Sequence, residues 1–76
     1  MEFCYVYILN SQADPDSYYV GITGDLRDRL HRHNAGEVLH TERLRPWRVK
    51  TALAFTDHDR AVQFERYLKT ASEKRL

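Results

Sequence analysis

The chain has 76 residues, 42% hydrophobic and 30% charged, which is the size of one domain (1–76) and apolar enough to fold rather than stay disordered. It lacks an apolar run of about 18 residues that would cross a membrane, and its single cysteine allows neither an internal disulfide nor a cysteine-rich metal site. The start of the chain is not basic in the manner of a signal peptide, so the expected compartment is cytoplasmic. The net charge of +1 is unevenly spread. Residues 1–25 carry Glu2, Asp14, Asp16 and Asp25 and no Lys or Arg. Residues 26–50 carry Arg27, Arg29, Arg32, Arg43, Arg45, Arg48 and Lys50 against Asp28, Glu37 and Glu42. A basic stretch of this kind can contact phosphates, or it can be a solvated, salt-bridged surface.

Residues 3–9 are aromatic and β-branched and predict a strand. Phe3, Tyr5, Tyr7 and Leu9 fall on one face, with Cys4, Val6 and Ile8 on the other. A strand apolar on both faces is usually covered on both. Residues 10–17 are turn formers throughout. Tyr18–Ile22 predicts a second strand, paired with the first as an antiparallel hairpin. Thr23 or Gly24 caps a following helix, with Asp25 at its positive end and Leu26 and Leu30 as its buried stripe. The helix stops around Asn34-Ala35-Gly36. Residues 35–46 are a polar connection with room for a helical turn at Thr41–Leu44. Residues 47–55 alternate only partly and predict a third strand. Thr56 to Asp59 fits a capping box, and a last helix runs to about Ser72 with Ala61, Phe64, Leu68 and Ala71 inward. The fold class is therefore α/β of the α+β kind: a small three-stranded antiparallel sheet with flanking helices, in the order β-β-α-β-α.

Some residues are not explained by folding alone. Glu65 falls on the core side of the last helix, where carboxylates are rare unless paired or bound to a cation. It is either one half of an i,i+4 pair with Lys69, or a metal ligand or general base. Arg29 and His33 lie one helical turn apart, beside the leucine stripe; they either line a cleft or belong to an ordinary amphipathic helix. Tyr7 and Tyr19 sit side by side if the hairpin register pairs them, although tyrosines are also ordinary strand residues. Gly21 inside a strand marks close approach of another group. Together these residues describe a site of two phenols, an arginine, an imidazole and one carboxylate. One carboxylate suits a single divalent cation that keeps most of its waters.

In this order the residues resemble those of the GIY-YIG nuclease domains. Tyr5-Val6-Tyr7 stands at the first tripeptide, where only the last residue agrees, and Tyr19-Val20-Gly21 at the second. Arg29 lies in the helix Asp25-Leu26-Arg27-Asp28-Arg29-Leu30, and His33-Asn34-Ala35-Gly36, Pro46-Trp47 and Glu65 follow the pattern of the small standalone bacterial branch. Ile22 stands where some relatives carry a lysine.

The resemblance implies an endonuclease that hydrolyses DNA with one Mg²⁺ or Mn²⁺ held by Glu65. Arg29 would pair with non-bridging phosphate oxygens. Tyr7 or Tyr19 would deprotonate water, with Tyr7 preferred and His33 receiving the proton. Candidates for nucleic-acid contact are Thr23, Arg27, Arg43, Arg45, Arg48, Lys50 and Lys69. The expected partner is DNA in branched, damaged or single-stranded form, in a setting related to repair or recombination. No membrane is expected, and a protein partner for targeting is compatible with the small size. Two other readings stay open: a nucleic-acid-binding module without catalysis, and a protein-interaction scaffold.

Overall fold

The computed structural model describes residues 2–74; Met1, Arg75 and Leu76 lie outside the described residues. Strand β1 (Cys4–Ser11) and strand β2 (Tyr18–Thr23) form the expected hairpin. Helix α1 (Leu26–Asn34), a 3-10 turn (Glu42–Leu44), strand β3 (Trp47–Phe55) and helix α2 (His58–Lys74) follow. The sheet is antiparallel, in the order β2-β1-β3. The most apolar strand is thus the central one, as its two-faced pattern requires.

The two faces are covered differently. On one, Tyr7, Leu9 and Trp47 form the buried cluster, packed by Tyr19, Val49, Leu44 and by Leu26 and Leu30 of α1. On the other, Val6 is buried and α2 covers the sheet with Ala61 fully enclosed. The Phe64 ring there lies 5.6 Å from that of Phe55. A bulge in β3 serves both layers. Leu9 pairs with Val49 but Ile8 with Thr51, leaving Lys50 as the extra residue. Trp47 and Val49 therefore face α1, whereas Leu53 and Phe55 fall on the face of α2. This break explains the partial alternation of residues 47–55.

Two caps differ from the sequence expectation. Asp25, not Thr23 or Gly24, is the N-cap of α1, and its side chain accepts from the Asp28 N–H. Thr23 instead closes the local turn, its hydroxyl donating to the Asp25 carbonyl at 3.3 Å. At α2 the capping carboxylate is Asp57, which accepts from the N–H groups of Asp59 and Arg60 at 2.9 and 3.2 Å, so Thr56 is not the cap. In both cases an aspartate one or two residues nearer the helix supplies the stronger, charged acceptor. The end of α1 is as expected. Gly36 adopts φ +79°, which only glycine takes without strain. The Gly36 and Glu37 N–H groups turn back to the carbonyls of His33 and Arg32.

Candidate active site

Tyr7 is the pivot of the site. The register places it opposite Gly21, not opposite Tyr19, which pairs with Leu9. Tyr19 is the diagonal neighbour on the same face, its ring centroid 6.4 Å from that of Tyr7. The expected side-by-side pairing is thus corrected to a diagonal one, and the difference matters. The Tyr7 ring leans across β2 through the space that a side chain at residue 21 would fill. A Cβ there would meet the ring's Cζ at 2.5 Å and Tyr19 at 3.0 Å. The close approach marked by Gly21 is that of Tyr7 itself.

His33 completes a group of three rings. It is fully buried at the last turn of α1. Its ring lies 4.9 Å from Tyr19 and 6.0 Å from Tyr7, edge-on to both. Its Nε2 is 3.0 Å from the Tyr7 Oη, and its Nδ1 is 2.8 Å from the Thr41 hydroxyl. Helix α1 is anchored for this purpose by Asn34. The Asn34 side-chain amide donates to the Trp47 carbonyl at 3.0 Å and accepts the Trp47 N–H at 2.6 Å, tying the helix end to the start of β3. Neither Thr41 nor Trp47 stood out in the sequence as part of a site.

The electrostatics follow from burial. Loss of water pushes the Tyr7 phenol above its ordinary value, and the Arg29 guanidinium opposes this only in part; the charges of Tyr19 and Glu65 add to the rise. Burial pulls His33 below the ordinary histidine range, and the Arg29 cation pushes the same way. At neutral pH both groups are therefore uncharged, a phenol against an imidazole. The Arg29 guanidinium is charged in any case, and the neighbouring Tyr7, with Tyr19 contributing, pushes its pKa further above the ordinary value. Its Nε is buried and has no hydrogen-bond partner among the described residues. Tyr7, Tyr19, Arg29 and His33 are thus brought together.

Glu65 approaches from α2, and its charge is felt at Tyr7. Its side chain is only 14% exposed, while Lys69, at 48%, pairs with it at 2.9 Å. The i,i+4 pair considered from the sequence is present. Groups of three or more His, Cys, Asp or Glu side chains able to hold a metal are absent among the described residues. A cation here would rely on one carboxylate, with water and substrate oxygens completing its shell.

Of the basic candidates, Lys69 pairs with Glu65, and the others have surroundings of their own. Arg27 is exposed and lines a cavity of about 510 Å³ with Tyr5, Leu30 and Val49, whose lining does not include Tyr7 or Tyr19. Arg45 donates from its Nε to the Glu42 carbonyl at 2.8 Å and packs over Gly36. Arg43 and Arg48 are exposed, and the Lys50 ammonium sits 5.3 Å from the Tyr18 ring centre. None of the described helices is long and apolar enough to cross a membrane.

Over most of its length the chain is similar to known proteins. Residues 3–76 match the family described as GIY-YIG catalytic domain. The chain is 38% identical to the structure-specific endonuclease subunit SLX1 of Scheffersomyces stipitis over 77 residues, covering 92% of this chain and 23% of that protein. It is 39% identical to the protein of the same name from Meyerozyma guilliermondii, covering 90% of this chain and 25% of that one. It is 36% identical to the UPF0213 protein of Streptococcus pneumoniae serotype 4, covering 86% of this chain and 65% of that one. The chain thus spans about a quarter of the two SLX1 proteins. No solved structure matches it. The match over residues 3–76, on this β-β-α-β-α frame, places the chain in the GIY-YIG family of catalytic domains.

Proposed function

We propose that this chain is a metal-dependent DNA endonuclease that selects its substrate by shape. The observation that carries the reading is the buried Tyr7–His33 hydrogen bond beside an arginine with an unpartnered Nε. Hydrolysis of a phosphodiester needs an activated water and compensation for charge on the phosphate. Tyr7, relieved of its proton by His33, accepts a proton from water in turn. Because both groups are neutral at rest, the two transfers are coupled and no free phenolate need accumulate. Arg29 faces the non-bridging phosphate oxygens, and its planar fork suits two of them. Tyr19, half-buried over His33, orients the water or the phosphate.

Glu65 fits the part of cation ligand. It is a mostly enclosed carboxylate on the flank of the site, and among the described residues its one cationic partner is a half-exposed lysine on one of its two oxygens. A divalent ion such as Mg²⁺ or Mn²⁺, when bound, supplies Lewis-acid stabilisation of charge on the phosphate and leaving oxygen. The exposed Arg43, Arg48 and Lys50 contact the backbone of flanking DNA, which positions a duplex without reading its bases. The printed name of the two SLX1 relatives, a structure-specific endonuclease subunit, supports selection of substrate by shape and action beside a further subunit; branched DNA, in repair or recombination, is the substrate that reading proposes.

The test is cleavage of labelled single-stranded, duplex, flap and branched DNA with Mg²⁺, with Mn²⁺ and with EDTA. Wild type is run beside Tyr7→Phe and Glu65→Ala. Cutting of branched DNA that needs the ion is expected, with a loss of about 10²–10⁴-fold in Tyr7→Phe and no metal response in Glu65→Ala. Full cutting by Glu65→Ala would remove the metal role. Absence of cutting by wild type, with salt-dependent binding retained, would leave a binding module; absence of both would leave a scaffold.

A further inference from the structure

We propose that Thr41 is a positioning residue that fixes the tautomer of His33, so that the Nε2 facing Tyr7 is the bare, proton-accepting nitrogen. The inference rests on the catalytic reading of Tyr7 and His33 for its consequence, but not for its geometry. Thr41 is 1% exposed, in a stretch otherwise polar and largely open to solvent. The reason for its burial is the contact of its hydroxyl with His33 Nδ1 at 2.8 Å.

Counting hydrogens decides the direction of that contact. A neutral imidazole carries one N–H, while Tyr7 and Thr41 each bring one O–H. If the proton sits on Nδ1, it is donated to the Thr41 oxygen. The Thr41 hydroxyl then donates to the Val38 carbonyl, 3.3 Å away, and the Tyr7 hydroxyl donates to Nε2. Every hydrogen has an acceptor. If the proton sits on Nε2, it points at Tyr7, whose own hydrogen then has no acceptor among the described residues. In the free chain Tyr7 is 1% exposed, so bulk water is not at hand as an acceptor; the water that the proposed reaction activates would arrive with the substrate. Stranding a buried hydroxyl hydrogen leaves its desolvation uncompensated, which selects the Nδ1–H form.

Thr41 is itself held in place from two sides. Its N–H donates to the Val38 carbonyl at 3.1 Å, and the Trp47 indole Nε1–H donates to its carbonyl at 2.8 Å. Trp47 is 4% exposed and belongs to the same buried cluster as Tyr7. A column therefore runs from Trp47 through Thr41 and His33 to Tyr7, and the indole sets the position of the whole. A residue that sets the tautomer of an imidazole controls which of its nitrogens can take a proton.

The test reads the ring directly. The ¹⁵N shifts of His33 are measured at neutral pH in the full chain, assigned by their loss in His33→Gln, for wild type, Thr41→Ser and Thr41→Val. Wild type and Thr41→Ser should show protonated Nδ1 and bare Nε2. Thr41→Val, which keeps the shape and loses the hydroxyl, strands one hydrogen in either form, so the ring should lose its preference and populate the Nε2–H form as well. It should also lower kcat by about 10–100-fold with KM little changed, and Thr41→Ser should restore it. A wild-type ring protonated on Nε2 would overturn the proposal, even if Thr41→Val fails to fold. An unchanged ring in folded Thr41→Val would overturn it too. The shifts need no DNA and no cutting, so a chain that cuts nothing but shows the Nδ1–H ring would refute the catalytic reading and leave the tautomer assignment standing.

Discussion

The two helices deliver their functional side chains in opposite ways. Helix α1 presents His33 within a closed column, its ring bonded at both nitrogens and enclosed by Tyr7, Tyr19 and Thr41. Helix α2 presents Glu65 in an ion pair with a lysine that is half in solvent. The first arrangement is fixed by packing and cannot adjust without disturbing the core. The second is held by a single exchangeable contact. A proton path works only at set distances, so it belongs on the packed side. On the proposed reading a cation would enter and leave with substrate, and a carboxylate held by one exchangeable contact suits that part.

The largest break in this contrast is a methyl group at residue 21. Gly21→Ala drives a Cβ into the Tyr7 ring, and Tyr7 is enclosed by the sheet, His33 and Tyr19. Overpacking a closed site costs about 1–3 kcal/mol, and the phenol must leave His33 to relieve it. The expected outcome is a lower denaturation midpoint together with loss of cutting. Gly24→Ala is the control, because a Cβ there meets nothing within 4 Å. Equal stability of the two variants in urea would show that Tyr7 is not confined.

Much of this frame was legible in the residues. The β-branched and aromatic run at 3–9 marked its strand by composition, and the leucine pair at 26 and 30 and the stripe at 61, 64 and 68 marked their helices by period. Glu65 stood out because a carboxylate broke an apolar stripe. What was not legible is set by tertiary contact. The bulge at Lys50 reverses the faces of β3 midway, so its alternation could not be followed through. The diagonal placement of Tyr7 and Tyr19 depends on a register that no turn residue in the long 12–17 loop dictates. Thr41 lies in a polar connection with no periodic signal. Its burial is created by His33 eight residues before it and Trp47 six residues after it.

The enclosure of His33 and Tyr7 also predicts how stability follows pH. Folding lowers the pKa of His33, so below about pH 6.5 the unfolded chain takes up a proton before the folded one does. Stability is then present above that pH and lost as pH falls toward the folded value. Tyr7 acts in the other direction. Its pKa is raised, so the unfolded chain ionises first above about pH 10, and stability is lost as pH rises beyond that. Urea midpoints should form a plateau between these limits. His33→Gln should flatten the acid slope and Tyr7→Phe the alkaline one. An acid slope unchanged in His33→Gln would place the responsible group elsewhere.

The smallest expected change in stability comes from the open side. Lys69→Met removes a partly exposed i,i+4 pair, worth about 0.3–0.5 kcal/mol, and keeps the aliphatic stem that lies along the helix. Its effect on the ion should be larger than its effect on folding. Without the ammonium 2.9 Å away, the Glu65 carboxylate has no bound cation to exchange before taking another. The Mg²⁺ concentration that gives half-maximal cutting should therefore fall several-fold, while Glu65→Gln, which removes the charge and keeps the shape, should abolish the response. Lys69 was also a candidate for DNA contact, and the same titration separates the roles. If Lys69→Met leaves the metal requirement unchanged but weakens DNA binding and reduces its salt dependence, the lysine serves the phosphate backbone. In that case Glu65 is free for the cation only when DNA draws Lys69 away, and the open side of the site would be assembled by the substrate.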